Sequence, residues 1–424
     1  MVLFAKGAEN HILSIEEMLD GISSALQKIQ AGRKILVVPP DFTRHHSMAG
    51  EITVLLHKLL GDRITDILPA LGTHAPMTAE QRGKMFPGIP SELFRVHDFR
   101  KDTVHLGDIP AEFISAITGG LVNYSWPAEI NRLVANGGHN LIISVGQVVP
   151  HEVIGMAGYN KNILIGTGGS EAINRSHFIG AVYGMERIMG RTENPVRTLL
   201  NKAADSFLSS LPILYILTVI GRDEKGKLVP RGLFIGTDNE TFEMAADLSR
   251  LVNFTIVNDA LRKVVVWLDP SEYRSTWLGN KAIYRTRMAM ADDGELIIIA
   301  PGVREFGEDR EIDRLIRKYG YNGTLLTLRA VDHDPELREN LSAAAHLIHG
   351  STEGRFNVTW CPGGLSRKEI ESAGYRYDNC DEIMRIFRPQ SLKEGFNNID
   401  PDGEIFFISN PATGLWASSD YLSK

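Results

Sequence analysis

The sequence predicts an α/β fold built as two α/β domains with an active-site cleft between them. Short runs of β-branched residues alternate with segments of helical periodicity, and runs such as 213–220 (ILYILTVI) are almost entirely apolar, as strands covered on both faces are. Of the 424 residues, 43% are hydrophobic and 23% are charged, which gives a large core and argues against disorder. This length suggests two to three domains at about 150 residues each.

The first part of the chain carries the elements of the predicted N-terminal domain in order. Ser14 and Glu17 form a capping box at the start of an amphipathic helix. Strands are predicted at residues 34–38, 64–68, 140–145, 162–165, 213–220 and 233–236. A helix separates the first two of these strands, and Asp238 is the predicted N-cap of a helix that reaches about residue 251. A boundary near residue 255 therefore divides the chain into domains at 1–255 and 256–424.

A second α/β cycle begins after that boundary. Residues 264–268 (VVVWL) and 295–300 (ELIIIA) are predicted strands, with one long helix at 271–291 between them and a charged helix at 308–319. This division leaves open that the last residues of the chain pack on the first domain. His346 and His349 are three residues apart in a helical pattern, but their alanine-rich surroundings favour an ordinary helix over a metal site. A substrate is expected in the cleft between the two domains.

Charge and composition narrow the function classes. The formal charge is −7, from 45 Lys and Arg against 52 Asp and Glu, so nucleic-acid binding is not expected. The apolar runs are shorter than the ~18 residues of a membrane span, and the amino terminus lacks the pattern of a signal peptide. Cys361 and Cys380 allow neither a disulfide framework nor a four-cysteine zinc site. The expected protein is a cytoplasmic enzyme with no membrane or nucleic-acid partner.

Three loops that follow predicted strands carry the candidate reactive groups. Asp41 and Arg44 follow the first strand of the set, His74 the second and His151 the third. Reactive groups in α/β enzymes commonly lie in such loops. An arginine there can hold a carboxylate in bidentate fashion, and histidine can donate or accept a proton near neutral pH. The same residues also allow a local Asp–Arg pair and histidines bonded to the backbone.

Lys161 is the candidate nucleophile. It immediately precedes an apolar run, so we expect its ammonium to be partly desolvated, which lowers the pKa of a lysine and makes the amine nucleophilic. A solvated lysine at the start of a strand is the alternative. The following glycine-rich stretch at 166–170 (GTGGS) precedes a helix that holds His177 and could cradle a phosphate. It is neither a GxGxxG fingerprint nor a P-loop, so its nucleotide signal is weak.

Together these elements resemble the nickel-pincer lactate racemase family. Asp41-Phe42-Thr43-Arg44 is similar to the family's Asp-x-Thr-Arg loop, and Gly72-Thr73-His74 to its Gly-Thr-His. His151 is followed by Lys161 and His177 at spacings of 10 and 26 residues. Trp277-Leu278-Gly279-Asn280-Lys281 resembles the family's Tyr-Gln-x-x-Lys segment. The joint spacing of these elements, in order over about 240 residues, is far more specific than any one of them.

The resemblance implies a nickel-pincer nucleotide as cofactor. This group is a pyridinium-3,5-bisthiocarboxylic acid mononucleotide that binds nickel through sulfur, carbon and sulfur. Lys161 would hold it covalently as a thioamide, and His177 would be the fourth nickel ligand, since imidazole suits nickel and one nitrogen completes a square plane. Cofactor-assembly enzymes would then be partners of the chain.

The resemblance also implies an isomerase, a racemase or epimerase that transfers a hydride reversibly from C2 of a 2-hydroxy acid to the cofactor. His74 and His151 would be the acid/base pair on opposite faces of the substrate. Arg44 and Lys281 would bind the substrate carboxylate, and Asp41 would orient a neighbouring catalytic group. Because Lys281 comes from the second domain, domain closure would complete the site.

The substrate-facing segment departs from the family pattern. Trp277 and Leu278 stand where the family has Tyr and Gln, and both are predicted on the helix of Lys281, so at least one should share its face. These changes favour a substrate larger than lactate, or a sugar acid stacked on the tryptophan. Two alternatives remain. A nicotinamide-dependent 2-hydroxy acid dehydrogenase would need a fingerprint that the sequence lacks, and the retained Lys161 and His177 argue against an inactive homologue that binds a sugar acid.

Overall fold

The structure is a computed structural model that describes residues 1–29, 32–400 and 403–422. It divides into two compact units. Unit 1 comprises Met1–Tyr183 and Arg187–Asn253, and unit 2 comprises Gly184–Glu186 and the described residues from Phe254 onward. Both units combine helices with parallel or mixed sheets, so the predicted α/β class is confirmed. No helix among the described residues is long and apolar enough to cross a membrane.

Unit 1 is built on a six-stranded mixed sheet. The strands of unit 1 are β1 Val2–Gly7, β2 Ile35–Val38, β3 Ile64–Ile67, β4 Thr103–Ile109, β5 Trp126–Asn131, β6 Leu141–Gln147, β7 Pro150–His151, β8 Gly155–Met156, β9 Ile213–Arg222 and β10 Leu228–Gly236. Outside the six-stranded sheet, β4 pairs with β5 and β7 pairs with β8. The order across the sheet is β1-β10-β9-β6-β2-β3. Strands β3, β2, β6 and β9 are parallel to one another. Strand β10 is antiparallel to β9, and β1 is antiparallel to β10. The carboxyl ends of the four parallel strands therefore meet at one edge.

Helices cover both faces of this sheet. They are α1 Ile15–Lys28, α2 Ala49–Leu60, α3 Ala79–Met85, α4 Ala111–Thr118, α5 Arg132–Asn136, α6 Asn160–Leu164, α7 Ser170–Tyr183, α8 Pro195–Phe207 and α9 Asn239–Asn253. All residues of β2 and β6 are buried, as strands between two layers of helices must be. The apolar stripes of α1 and α2 pack on the sheet to form one core.

Two helix starts predicted from the sequence are confirmed. The Ser14 hydroxyl accepts from the Glu17 N–H at 3.1 Å, and the Glu17 carboxylate accepts from the Ser14 N–H at 2.7 Å, which completes the capping box of α1. At α9, the Asp238 carboxylate accepts from the Thr241 N–H at 3.4 Å. These bonds satisfy donors that a helix leaves unpaired at its amino end.

The prediction of a strand at 162–165 was wrong, because most of this run lies in α6. Four apolar residues do not distinguish a buried helix from a buried strand by periodicity. The side chain of Asn162 determines the outcome here: its Nδ2 donates to the carbonyl of Val38 and to the hydroxyl of Ser144, both at 3.0 Å. Lys161 is therefore the second residue of a short helix held against the end of β2 and the middle of β6.

Unit 2 contains a second six-stranded sheet. The strands of unit 2 are β11 Phe254–Val257, β12 Leu261–Trp267, β13 Met290–Ala300, β14 Asn357–Pro362, β15 Arg376–Tyr377, β16 Gly395–Ile399, β17 Gly403–Ile408 and β18 Leu415–Ser418. The order is β15-β14-β13-β12-β17-β16, parallel except for β16, and β11 pairs separately with β18. The predicted strands at 264–268 and 295–300 coincide closely with β12 and with the end of β13.

The helices of unit 2 differ from the prediction at residues 271–291, where two short helices replace one long one. They are α10 Thr276–Gly279, α11 Lys281–Thr286, α12 Arg310–Tyr319, α13 Thr324–His333, α14 Pro335–Arg338, α15 Leu341–Gly350, α16 Arg367–Ser372, α17 Cys380–Phe387 and α18 Ser419–Leu422. The charged helix at 308–319 is confirmed as α12. The single helix at 271–291 was wrong: Asn280 separates α10 from α11. Its fully buried side chain bonds His346 and Tyr375, both at 3.4 Å, and such bonds compete with a continuous helix.

Candidate active site

The parallel-strand edge of unit 1 carries the loops that the sequence analysis singled out. After β2, Asp41 caps a 3-10 helix at Phe42–Ser47, where its Oδ1 accepts from the Thr43 N–H at 3.2 Å and from the Thr43 hydroxyl at 2.5 Å. After β3, Gly72 adopts φ +55° and its N–H donates to the Gly166 carbonyl at 2.9 Å. This bond ties the His74 loop to the end of the segment that carries Lys161.

Asp41, which is buried, and His74, which is exposed, form a hydrogen-bonded pair. Nδ1 of His74 lies 2.7 Å from Oδ2 of Asp41; the Asp41 residue is 5% exposed and the His74 side chain 42%. Burial raises the pKa of Asp41, but the hydrogen bond and charge of His74, with help from Thr43 and Arg44, lower it overall. The carboxylate is therefore ionised and holds the proton of His74 on Nδ1. In the neutral imidazole, Nε2 is then a proton acceptor.

His151 has the opposite arrangement. It lies in the β7–β8 hairpin, is 7% exposed, and its Nδ1 accepts from the Val153 N–H at 3.2 Å. Because Nδ1 is an acceptor, the neutral ring carries its proton on Nε2. The hydrogen bonds thus leave Nε2 of His74 able to accept a proton, and leave Nε2–H of the neutral His151 able to donate a hydrogen bond.

Lys161 is half-buried in α6, and its ammonium has no hydrogen-bond acceptor among the described residues. Burial and then the positive charge of Arg44 lower its pKa to about 8, while the carboxylates of Glu152 and Asp41 oppose the shift. A substantial fraction of the amine is therefore unprotonated near neutral pH, which is the nucleophilic form. Arg44, Asp41 and Lys161 act on one another electrostatically, as residues of one site do.

His177 in α7 is held as a neutral imidazole. Its Nδ1–H donates to the Ile173 carbonyl at 2.7 Å. Burial and then the positive charge of Lys161 lower its pKa to about 4. Nε2 therefore carries a lone pair at physiological pH, and a backbone bond from the other nitrogen is the usual way of orienting a metal-binding histidine. The part of the chain that is described has no cluster of three or more His, Cys, Asp or Glu that could hold a metal ion.

The glycine-rich turn at 166–170 is a poorer phosphate cradle than its sequence suggests. The Gly169 N–H donates to the Glu129 carbonyl at 3.3 Å, and a Cβ on Gly169 would come within 2.0 Å of Oε2 of Glu129. A carboxyl group therefore lies against the turn at the amino end of α7. An anionic phosphate would face a like charge whenever Glu129 is ionised, which disfavours the expected role.

Two residues of this site were missed in the sequence analysis. Glu152 lies with its Oε2 3.9 Å from Nδ1 of His151, and its charge raises the pKa of both Lys161 and His177. Asn162 attaches α6 to the sheet through the bonds described above. A polar residue inside the apolar run at 162–165 was the available signal for Asn162, whereas nothing in the sequence distinguished Glu152 from a surface carboxylate.

The remaining predicted site residues lie in unit 2. Trp277 and Leu278 are in α10, Lys281 begins α11, and all three are half-buried. The Trp277 ring stacks on His346 with centroids 4.1 Å apart. Because Asn280 separates α10 from α11, the expectation that Trp277 and Leu278 lie on the helix of Lys281 was wrong, and their sharing a face with Lys281 stays a prediction. Their contacts with a substrate remain predictions.

His346 belongs to α15, as the alanine-rich pattern predicted, and it is embedded in hydroxyl groups rather than metal ligands. Its Nδ1 lies 2.8 Å from the Tyr284 hydroxyl and its Nε2 2.9 Å from the Tyr321 hydroxyl. The imidazole is also flanked by the Trp277 ring. This network fixes the position of Trp277.

Fold and site together define an α/β protein with a candidate enzyme centre at the parallel-strand edge of unit 1. Residues 5–188 match the family model of the lactate racemase N-terminal domain, a range that contains Asp41, Arg44, His74, His151, Lys161 and His177. This N-terminal part of the chain is therefore similar to the lactate racemase N-terminal domain. The match to this domain supports a racemase- or epimerase-type activity on a small molecule.

Two solved structures share the fold. A crystal structure of a protein from Thermotoga maritima superposes with a TM-score of 0.82 at 24% identity, covering 97% of this chain and 100% of that chain. The lactate racemase apoprotein from Thermoanaerobacterium thermosaccharolyticum superposes with a TM-score of 0.67 at 18% identity, covering 97% and 91%. At these identities the likeness concerns the fold alone. No curated protein matches the chain in sequence.

Proposed function

We propose that the protein is a racemase or epimerase of a 2-hydroxy acid larger than lactate, and that it works with a nickel-pincer nucleotide attached to Lys161. The observation that carries this proposal is the pairing of a lysine of pKa about 8 with a neutral histidine, His177, inside the family-matched segment. An unprotonated amine can form the covalent link, and a neutral imidazole can bind a metal.

The donor set fits the group that the family implies. Lys161 would hold the organic part and His177 the nickel, which accepts imidazole nitrogen readily. When bound, the cofactor supplies a reversible acceptor for the hydride at C2 of the substrate. Production of a loaded enzyme would then require the cofactor-assembly enzymes as partners.

The two histidines carry the proton transfers in this proposal. Nε2 of His74 accepts the proton of the substrate hydroxyl, and the Asp41 carboxylate at 2.7 Å stabilises the imidazolium that forms. His151, protonated on both ring nitrogens at this stage, donates from Nε2 the proton that restores a hydroxyl on the other face and is left as a neutral imidazole. For the opposite enantiomer the two histidines exchange roles. Support comes from the bond of Asp41 to His74, which leaves Nε2 of His74 as an acceptor, and from Glu152, whose Oε2 lies 3.9 Å from Nδ1 of His151 and would stabilise its imidazolium.

Arg44 is the proposed anchor for the substrate carboxylate, with Lys281 of unit 2 as a second group. Among the described residues, no hydrogen bond or ion pair is made by the Arg44 guanidinium, although its charge acts on Lys161 and Asp41. A planar guanidinium without a protein partner can bind a carboxylate in bidentate fashion.

Trp277 and Leu278 are proposed to contact the substrate's side chain, as apolar replacements for hydrogen-bonding groups. One face of the Trp277 ring packs on His346, so the ring is fixed rather than mobile. Rates for lactate, malate, phenyllactate and gluconate, measured in both enantiomers where they exist, test this. If lactate is the best substrate, the proposed contact is wrong.

Intact-mass and nickel analysis test the cofactor proposal directly. After co-production with the cofactor-assembly enzymes, the wild type should carry the organic adduct and nickel. Lys161→Ala should lack the adduct, His177→Ala should keep it but lose nickel, and Lys58→Ala, an exposed lysine on α2, should match the wild type. An adduct on Lys161→Ala or full nickel in His177→Ala would overturn the assignment. A protein that carries no adduct and reduces a nicotinamide cofactor would be a dehydrogenase instead.

A further inference from the structure

The turn that precedes Lys161 is clamped by one face of α8. Nη1 of Arg197 donates to Oδ1 of Asn160 at 2.6 Å, and Nη2 donates to the carbonyl of Met156 at 2.5 Å. Met156 lies before the turn and Asn160 after it, so a single guanidinium spans the turn. Asn201, one helical turn beyond Arg197, accepts from Nδ2 of Asn160 at 2.7 Å. Both polar atoms of the Asn160 side chain are thereby held by α8.

The turn itself has a shape that its sequence does not favour. Tyr159 adopts φ +58° and ψ −139°, a region that side chains rarely occupy and that costs roughly 1–3 kcal/mol. Its ring packs against Tyr215 and Phe242, with centroid distances of 4.5 and 5.5 Å. The Arg197 guanidinium lies 4.2 Å from the centroid of the same Phe242 ring. The surroundings therefore impose this backbone conformation directly before Lys161.

Arg197 is an unfavourable residue on stability grounds alone. It is 1% exposed, its Nε is buried without a hydrogen-bond partner, and no ion pair of the described residues includes it. A buried guanidinium without a carboxylate is destabilising relative to an apolar side chain of similar volume. Its burial lowers its own pKa to about 9, and its charge contributes to the low pKa of Lys161. Within the described part of the chain, burial without an ion pair is shared with Arg231, another buried arginine of unit 1. What distinguishes Arg197 is that its guanidinium bonds both sides of the turn that precedes a reactive amine, which indicates a function there.

We propose that Arg197, assisted by Asn201, is a positioning residue for Lys161: the two fix the turn from Met156 to Asn160 so that the amine is held where the cofactor is attached. This inference rests on the proposed function. In the attachment, the amine condenses with a thiocarboxyl group; a C–N bond forms, the oxygen leaves as water with the protons of the amine and the acid, and nothing is oxidised or reduced. Arg197 takes no part in that chemistry.

The test measures how fast the adduct accumulates on Lys161 during co-production with the cofactor-assembly enzymes, before the wild type is saturated. Arg197→Met should reduce the initial rate about tenfold or more, since a displacement of about 1 Å in a reacting group can cost ~100-fold. Arg197→Lys retains the charge and one donor, so its rate should lie between the two. This partial rescue would not be expected if Arg197 only filled space.

The matched control is Arg231, another buried arginine of unit 1. It is 8% exposed, and its guanidinium donates to the carbonyls of His11 and Arg222 at 3.3 and 2.6 Å. Arg231→Met should lower the melting temperature but leave the rate of adduct formation unchanged. If Arg231→Met loses the adduct as Arg197→Met does at the same melting temperature, the effect is one of stability and the inference is wrong.

Asn201→Leu keeps the test decisive if Arg197→Met does not fold. It removes the acceptor for Asn160 and a 3.5 Å bond from Nδ2 of Asn201 to Oδ1 of Asn239, while Arg197 stays in place, and it should reduce the rate several-fold. Wild-type rates in Arg197→Met, or in Asn201→Leu when it is the variant that folds, would overturn the inference while leaving the proposed function intact. A wild type that acquires no adduct on Lys161 would refute the proposed function itself, and the inference with it.

Discussion

Lys161 should be acylated near neutral pH much faster than an ordinary lysine. With a pKa of about 8, roughly a quarter of the amine is neutral at pH 7.5, against about 0.1% for a lysine of pKa about 10.5. The gain in reactive amine is on the order of 200-fold. Brief treatment of the cofactor-free protein with acetic anhydride between pH 6 and 10, followed by peptide mass spectrometry, measures this directly. Lys58, exposed on α2, serves as the reference in the same sample.

Two substitutions give the direction of the effect. Arg44→Gln removes the second largest of the influences that lower the pKa of Lys161, so the midpoint of its acetylation curve should move upward while burial keeps it below the ordinary value. Asp41→Asn removes a carboxylate that raises this pKa, and the midpoint should move downward. A wild-type midpoint near 10.5, or a downward shift in Arg44→Gln, would show that the electrostatic description of this site is wrong.

Lys161→Met should raise the free energy of unfolding at pH 7 by up to about 3 kcal/mol, because a folded-state pKa near 8 against about 10.5 in the unfolded chain penalises the folded protein at every pH below 8. The gain should vanish as the pH rises from 8 to 10.5, which urea unfolding at several pH values can check. Folding lowers the pKa of Asp41, so this carboxylate stabilises the protein at pH values above its unfolded pKa. That contribution is lost as the pH falls through the folded pKa. In Asp41→Asn the free energy of unfolding should therefore fall less steeply as the solution is acidified. In the loaded enzyme, His74→Ala and His151→Ala should each reduce turnover by roughly 10²–10⁴-fold without loss of adduct or nickel. The C2 hydrogen should be retained in deuterium oxide, and extensive exchange there would indicate carbanion chemistry.

The sequence was most informative where a local rule has a single outcome. The capping box of Ser14 and Glu17 and the N-cap at Asp238 were predictable because their bonds join residues three apart. The gathering of Asp41 and His74 was predictable in outline, because both follow parallel strands. Their bond at 2.7 Å could not be derived, since it depends on the conformation of two loops that are 33 residues apart in the chain.

The errors arose where long-range contacts override periodicity. The run at 162–165 is helical because Asn162 bonds two strands that are distant in sequence. The helix predicted at 271–291 ends early because Asn280 bonds groups that lie far along the chain. The turn at 166–170 has a glycine-rich sequence, but the carboxyl group that faces it comes from β5. Each partner lies outside any window over which a local pattern can be read.

The left-handed conformation of Tyr159 has a consequence for laboratory evolution. The residue lies in a strained backbone region, next to a lysine whose protonated form is disfavoured by burial. Substitutions that relieve strain commonly stabilise a protein and weaken its activity. A library selected only for heat resistance should therefore enrich glycine at this position in those clones whose other substitutions fill the space of the tyrosine ring, with wild-type expression levels but slower cofactor loading. Sequencing such a library would map the functionally strained positions of the chain without any knowledge of the substrate.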